Sequence, residues 1–255
     1  MRNILAIFRR DLKGYFSSPI AYVITGLFVV VTGIFFYLLL SSFIQYSYAL
    51  MMQQQSAPLN VNLMLIRPFL LNLSVIILFI VPMITMRAYS EEKKSGTIEL
   101  LMTVPLTKWQ IIIGKFLATF VLFLVMIGVT LLYLIFLFLW GNPEIVPIII
   151  GYLGLLLFGA ALIATGNFIS SLTENQIVAA VGTFAVTMFL WIIGFAADSA
   201  GKVLSSILGY LSIVEHFEDF SKGIFDTSHL VYYLSVVAVM LFLTFQSVES
   251  AKWRS

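Results

Sequence analysis

The chain alternates between long apolar runs and short polar segments. Six of the runs suit a helix crossing a hydrocarbon core about 30 Å thick, which takes about 20 mainly apolar residues. They are Ile20–Phe43, Pro68–Met86, Ile111–Trp140, Ile148–Ile169, Ile177–Phe195 and Leu230–Phe245. The pattern therefore predicts six membrane-spanning helices.

The stretch before the first run, MRNILAIFRRDLKGYFSS, predicts a separate amphipathic helix. Projected as a helix, its apolar residues share one arc and its basic residues occupy the adjoining arc. Ser17, Ser18 and Pro19 predict its end. A helix of this kind lies in the membrane interface, although a simple basic topogenic tail is the alternative. The residues assigned to this interfacial role are Arg2, Phe8, Arg9, Arg10 and Lys13.

The segment 87–110 contains the densest charge in the chain, in SEEKKSGTIELLMTVPLTKWQ. Ser95-Gly96 predicts a break after the charged run. Ile98, Leu101 and Met102 then recur at helical spacing, and Pro105 ends this short helix because the residue before a proline is disfavoured in the α conformation. The pattern predicts a short amphipathic helix with sharp bounds.

A new helix is predicted to follow at once. Thr107 and Gln110 have the spacing of a capping box, so the third spanning helix should begin at Lys108.

Composition supports a membrane protein. Hydrophobic residues make up 61% of the 255 residues and charged residues only 10%, whereas soluble domains contain about 25% charged residues. The net charge of +2 gives no electrostatic reason to expect a nucleic-acid partner. The absence of cysteine excludes disulfides and thiolate metal sites.

The distribution of basic residues predicts the orientation. If the N-terminus is cytoplasmic, eleven of the fourteen Lys and Arg residues fall in cytoplasmic segments, as expected for inner-membrane topology. Both termini and the segment 87–110 are then cytoplasmic, and the segment 196–229 is on the outer side. We expect a multi-pass protein of the cell (inner or plasma) membrane.

Several kinds of chemistry are not expected. The sequence has no G-x-x-x-x-G-K-[ST] motif, so the chain itself should not bind nucleotide through a P-loop. We expect no charged residue in the interior of a spanning segment, which disfavours an ion-coupled secondary carrier. No H-E-x-x-H motif is present, and no catalytic residues are assigned.

The outer segment contains a second polar cluster, made of Glu215, His216, Glu218 and Asp219. One histidine with carboxylates is a weak set for copper. Phe217, Phe220 and Ile224 share a helical face, which favours a short interfacial helix with the acids on its polar side. No metal site is therefore assigned, and His229 is interpreted as a simple interface residue.

The run EEKKSGTIELLMTVPLTKWQIIIGK resembles the first cytoplasmic loop of ABC-2 type transporter permeases, whose pattern is approximately E-x-x-x-G-T-[IL]-E-x-L-L-x-x-P. The matching positions are Glu92, Gly96, Thr97, Glu99, Leu100, Leu101 and Pro105. A second run, EHFEDFSKGIFDTSHLVYYLS, resembles the segment before the last span in the subgroup of gliding-motility and nitrous-oxide-reductase copper-maturation permeases.

The resemblance implies an all-α membrane protein with six spans, an N-terminal elbow helix (1–19), a transmembrane domain (20–246) and a cytoplasmic tail (247–255). It implies that the short helix of segment 87–110 is a coupling helix, which docks on a separate ATPase subunit; a membrane-surface helix that only caps the bundle is the alternative. The coupling residues would be Glu91, Glu92, Gly96, Thr97, Ile98, Glu99, Leu100, Leu101, Met102 and Pro105.

It further implies two ATPase subunits that bind ATP and magnesium, a second permease subunit (identical or related), and contact with membrane lipids. A periplasmic accessory protein is a further partner. The expected function is a non-catalytic permease subunit for ATP-driven export or mechanical signalling. The first alternative is a membrane anchor that transmits force without a transport path, and the second is a secondary carrier or channel.

Overall fold

The computed structural model describes residues 2–53, 60–97, 106–199 and 201–251, and these residues are helical with short connections. The α-helices are α1 (Arg2–Ser17), α2 (Pro19–Met52), α3 (Arg67–Thr85), α4 (Ser90–Lys94), α5 (Lys108–Trp140), α6 (Ile145–Leu172), α7 (Gln176–Ser199), α8 (Lys202–Leu211), α9 (Glu215–Ser221) and α10 (Thr227–Ala251). One π-helical turn, Asn62–Ile66, leads into α3.

The six predicted spans are confirmed as long apolar helices. Within the described ranges, six helical stretches have the length and composition to cross a membrane: Pro19–Met52, Asn62–Lys94, Lys108–Leu139, Ile145–Leu172, Gln176–Ala196 and Thr227–Ser250. Two extend well beyond their predicted ends. The first spanning helix, α2, continues to Met52, and the last, α10, continues to Ala251, because the added residues 44–52 and 246–251 include polar side chains but no proline or glycine.

Helix starts follow the predicted local signals. Ser18 adopts an extended conformation, and its hydroxyl accepts a hydrogen bond from the N–H of Ile20, so α2 begins with a side-chain cap and Pro19 in its first turn. The predicted capping box is present before α5, where the N–H of Thr107 donates to Gln110 Oε1 at 3.2 Å. The predicted end of α1 before Pro19 and the predicted start of α5 at Lys108 are confirmed, because both depend only on neighbouring residues.

Helix α6 lies at the centre of the bundle and contacts α3, α5, α7, α9 and α10. Glycines on its surface leave room for side chains of its neighbours. A Cβ atom at Gly159 would collide with the ring of Phe123 on α5, and one at Gly166 would collide with Thr85 on α3. Close packing of residues 159–167 follows directly from these small residues.

The bundle has two ends, which we call the α1 end and the α8–α9 end. At the α1 end, Lys108 pairs with Glu249 at 2.9 Å. At the α8–α9 end, Asn62 and Glu144 exchange two hydrogen bonds of 2.9 and 3.0 Å. Gly223 packs against Pro147 there, with a φ of 81° that favours glycine.

Helix α9 is amphipathic as predicted, but its apolar face lies inside the protein. Phe217 and Phe220 are fully buried in the main core, and Gly154 on α6 leaves space for the Phe220 ring. Only Ile224, beyond the end of the helix, is exposed. The interfacial placement was therefore wrong for the two phenylalanines, because α6 provides a protein surface that competes with lipid.

Candidate functional site at the α1 end

Helix α1 packs on the first turns of α5. A Cβ atom at Gly114 would lie 2.9 Å from a methyl group of Ile7, so this glycine allows close contact between the two helices. The hydroxyl of Tyr15 lies 3.1 Å from Thr119 Oγ1 on α5 and donates to the carbonyl oxygen of Ile84 on α3 at 3.2 Å. Helix α1 is thus attached to two spanning helices as well as being amphipathic.

A buried lysine lies at the centre of this end. The side chain of Lys115 on α5 is only 4% exposed. Its Nζ atom lies 2.9 Å from Glu92 Oε2 and 3.3 Å from Asp11 Oδ2, and it donates to the carbonyl oxygen of Ala88 at 2.7 Å. It also lies 5.1 Å from the ring centroid of Tyr89. A buried ammonium group requires such partners, because an isolated buried charge is strongly destabilising.

Arg10 completes a four-residue network that we call the Lys115 network. Its guanidinium group lies 2.7 Å from Asp11 Oδ1 and 2.6 Å from Glu92 Oε1. Burial opposes its charge, but Asp11 and Glu92 outweigh that effect, so the pKa of Arg10 is raised. Two cations face two carboxylates, and the network is electrically balanced.

The network corrects one expectation from the sequence. Lys115 lies inside the predicted span Ile111–Trp140 and is buried, so the expectation of charge-free span interiors was wrong at this position. The charge is tolerated because Asp11 and Glu92 arrive from α1 and α4. The carboxylates are 13% and 18% exposed, so both are largely shielded from water.

The junction between α3 and α4 is held by α6. Ser170 Oγ accepts hydrogen bonds from the N–H groups of Tyr89 and Ser90 at 3.1 and 3.2 Å, and donates to the carbonyl oxygen of Met86 at 3.0 Å. Lys93 donates to the carbonyl oxygen of Ser171. These contacts satisfy backbone groups that the break in the helix leaves without helical partners, and they fix the position of α4.

Helix α4 ends where the sequence predicted. Ser95 follows its last turn, and Gly96 has a φ of 68°, a conformation that favours glycine at a helix end. Gly96 and Thr97 are exposed. The Thr97 hydroxyl lies 2.9 Å from the hydroxyl of Ser95. The described part of this segment therefore ends in exposed residues.

The remaining predicted coupling residues are only partly within the described chain. Glu92 lies in the Lys115 network. Glu91 is 56% exposed and lies 4.0 Å from Arg87. The predicted short helix lies outside the described residues, together with its assigned members Ile98, Glu99, Leu100, Leu101, Met102 and Pro105.

The predicted interfacial residues of α1 divide into two groups. Arg9 and Lys13 are exposed and Phe8 is half-buried, so all three remain available to a membrane surface. Arg10 instead pairs within the protein. The side chain of Arg2 lies outside the described part of the chain.

A cavity of about 570 Å³ adjoins the network. It is lined by Tyr15, Ser18 and Arg87, as well as by Arg10 and Glu92 of the network. The cavity therefore borders the ion pair between Arg10 on α1 and Glu92 on α4.

Comparison with known proteins assigns the fold to a family. Residues 5–251 match the family model described as "ABC-2 family transporter protein". The chain belongs to the ABC-2 transporter family. With its six apolar helices, it is a multi-pass membrane protein. The family resemblance is confirmed, whereas the gliding-motility and copper-maturation subgroup remains a prediction.

Two curated relatives share part of the sequence. Both are named "Probable multidrug ABC transporter permease YbhR", one from Escherichia coli strain K12 and one from Escherichia coli O157:H7. Each is 28% identical over 147 residues, which are 57% of this chain and 39% of the relative. The match thus spans about two-fifths of the relatives' length.

Sequence reasoning had not assigned Asp11 or Lys115 to the site of this ABC-2 chain. Two signals were present. Asp11 is the single acidic residue among the first eighteen, and Lys115 is a basic residue inside an apolar run. Neither signal identifies the partner, because the two residues are 104 positions apart in sequence.

At the α8–α9 end, His229 was interpreted as a simple interface residue, and this was wrong. It is half-buried and lies 2.7 Å from His216, Nδ1 to Nδ1. Among the described residues, no group of three or more His, Asp or Glu side chains is placed to hold a metal ion.

Proposed function

We propose that this chain is the permease subunit of an ATP-driven ABC-2 transporter. Separate ATPase subunits would dock at the α1 end through the segment that follows α4. The Lys115 network supports this proposal most directly, because Glu92, two residues before the end of α4, is ion-paired with both α1 and α5.

The mechanism follows from the connectivity. When two ATPase subunits close on ATP, they would displace the segment 98–105 and hence α4. The short α4 is anchored to α6 through Ser170, so its displacement is transmitted to the centre of the bundle. Glu92 transmits the same displacement to Lys115 on α5 and Arg10 on α1. The pair between Lys115 and Glu92 is short and buried, so its two side chains have little freedom to rearrange when α4 is displaced.

The proposed complex has further parts. One chain provides half of a translocation path, so a second permease, identical or related, would complete it. The partner ATPases would bind ATP and magnesium. Their docking end would be cytoplasmic, together with both termini of this chain, in the inner or plasma membrane. Export or mechanical signalling to the outer side is the proposed outcome.

Co-expression with a P-loop ATPase from a neighbouring gene tests the docking role. Purification through this chain should recover the ATPase. Glu99→Arg and Leu101→Asp should each reduce its recovery at least tenfold while membrane insertion is unchanged. Glu174→Arg is the matched control, because Glu174 is an exposed glutamate in the loop between α6 and α7 at the same end.

A second variant separates docking from transmission. Glu92→Gln should retain the bound ATPase but lose the effect of the permease on the ATPase rate, because it breaks the ion pairs without removing the docking segment. Equal recovery of ATPase with Glu99→Arg and wild type, or no ATPase with wild type under any nucleotide condition, would contradict the proposal.

A further inference from the structure

The two histidines of the chain meet at the α8–α9 end. His216 on α9 is buried, and His229 lies at the start of α10. Their Nδ1 atoms are 2.7 Å apart, and the ring centroids are 4.9 Å apart at an interplanar angle of 68°. Residues that are thirteen positions apart are brought together because α9 folds back onto the first turn of α10.

The other nitrogen of each ring faces an acceptor. His216 Nε2 lies 3.0 Å from the carbonyl oxygen of Tyr210 at the end of α8. His229 Nε2 lies 3.0 Å from Asp219 Oδ2 on α9. A carbonyl oxygen and an ionised carboxylate only accept hydrogen bonds, so both Nε2 atoms carry a hydrogen.

The number of protons follows from these contacts. Two Nε2 hydrogens are required, and the short contact between the Nδ1 atoms requires one hydrogen between them. Two neutral imidazoles carry two hydrogens in total, so three hydrogens give the pair a charge of +1. A neutral pair would bring two lone pairs together, and a doubly protonated pair would bring two N–H groups together. Both alternatives lose the central hydrogen bond.

The surroundings place this charge on His229. Burial lowers the pKa of His216, and the hydrogen bond to the Tyr210 carbonyl oxygen opposes this effect. His229 Nε2 faces the carboxylate of Asp219 at 3.0 Å, whereas His216 Nε2 faces a neutral carbonyl group, so the positive charge is better compensated on His229. The hydrogen bond from His229 lowers the pKa of Asp219, assisted by Lys222, so Asp219 is an ionised partner for the imidazolium.

Other titratable groups modulate the pair. Tyr232 stacks on His216 with centroids 3.8 Å apart, and Lys222 pairs with Asp219 at 3.1 Å. The titratable groups that line the cavity with the two rings, or contact them, include Tyr210 of α8, Glu215, Glu218 and Asp219 of α9, Asp226 before α10, and Tyr232 and Tyr233 of α10; Lys222 follows α9. The carboxylates outnumber the one lysine, Lys222, and this excess of negative charge favours one positive charge on the two histidines. A second positive charge is disfavoured, because it would have to lie on the buried ring of His216.

We propose that His216 and His229 form a proton-binding site that holds one shared proton and joins α8, α9 and α10. The site borders a cavity of about 710 Å³ that is also lined by Trp191, Phe195 and Tyr210. Release of the proton at high pH removes the bond between the rings and loosens the wall of this cavity. Uptake of a second proton at low pH does the same by repulsion. The pH on this side of the membrane therefore controls access to the cavity.

Nuclear magnetic resonance of the full chain, labelled with nitrogen-15 histidine and held in lipid nanodiscs, tests the proposal. The chain has two histidines, so assignment requires one variant of each. We expect one imidazolium ring, one neutral Nε2–H ring, and a nitrogen–nitrogen coupling across the shared hydrogen bond. Two rings that titrate independently, without this nitrogen–nitrogen coupling, would overturn the proposal. The wild-type chain is sufficient to observe this outcome.

Two aspartates provide a matched pair of variants. Asp219→Asn removes the acceptor of His229 and should lower the pH at which the shared proton is lost by about one unit or more. Asp226→Asn should shift it much less, because Asp226 caps the start of α10 through the N–H of Ser228 at 2.8 Å. Backbone hydrogen exchange in α8 and α9 should accelerate once the proton is lost. Equal shifts for the two variants, or exchange independent of pH, would contradict the proposed site.

Discussion

The Lys115 network allows a quantitative prediction about coupling between α4 and α5. In a double-mutant cycle, Lys115→Met removes the buried cation and Glu92→Gln removes one of its carboxylate partners. At an effective dielectric constant of about 20, unit charges at the observed 2.9 Å and 3.3 Å attract by about 6 and about 5 kcal/mol. Most of this attraction is offset by the loss of hydration on burial.

The expected loss in the free energy of unfolding is smaller than these attractions but still large. Breaking a buried ion pair destabilises a protein by about 3–5 kcal/mol. Arg10 still contacts both carboxylates after Lys115→Met, so we expect the lower limit, about 3 kcal/mol. The coupling energy between the two substitutions should be about 2 kcal/mol, since both act on one shared network.

A matched surface pair is available as the control. Lys108 and Glu249 are also 2.9 Å apart, but their side chains are 27% and 42% exposed, so their coupling should be below about 1 kcal/mol. The free energy of unfolding is measured by denaturant titration in mixed micelles. If the coupling energy at Lys115 and Glu92 is no larger than that of the control pair, burial does not strengthen the interaction and the reasoning fails.

Four further predictions concern packing, polar contacts and pH. Gly166→Ala should destabilise the protein by about 1–3 kcal/mol in thermal unfolding, because the new methyl group collides with Thr85. Gly128→Ala has no neighbour within 4 Å and should stabilise the protein by up to about 1 kcal/mol. Ser170→Ala should cost about 1–3 kcal/mol and speed hydrogen exchange at the α3–α4 junction, because two backbone N–H groups lose their acceptor. Burial raises the pKa of Tyr15 to about 12. The stability that its neutral phenol contributes should therefore be lost as the pH rises from about 10 to about 12. Ultraviolet absorbance should show no ionisation of this tyrosine below that pH range.

Local features of this ABC-2 chain were predictable from the sequence. The six spans depend on the length of each apolar run, and the helix starts after Ser18 and Thr107 depend on side chains one to three residues away. The break at Gly96 depends on its own backbone conformation. Each of these features involves an interaction within one or two helical turns, and such interactions are encoded by neighbouring residues.

Contacts between distant segments required the tertiary structure. The sequence indicated a charged loop and a basic helix, but the partners of Arg10 and Lys115 could not be inferred, because an ion pair depends on which helix ends meet in space. His216 and His229 are a similar case. Thirteen residues separate them, and their hydrogen bond exists only because α9 packs into the core and reverses the chain.

The apolar faces show the same division. Sequence periodicity correctly predicted an amphipathic α9, yet periodicity does not distinguish lipid from protein as the apolar surroundings. Gly154 and its neighbours on α6 provided a complementary protein surface for Phe220, and close packing there stabilises the buried position. The sequence by itself thus determined which segments are helical and apolar, while the tertiary structure decided which faces meet, because shape and charge complementarity between distant helices arise only in the assembled bundle.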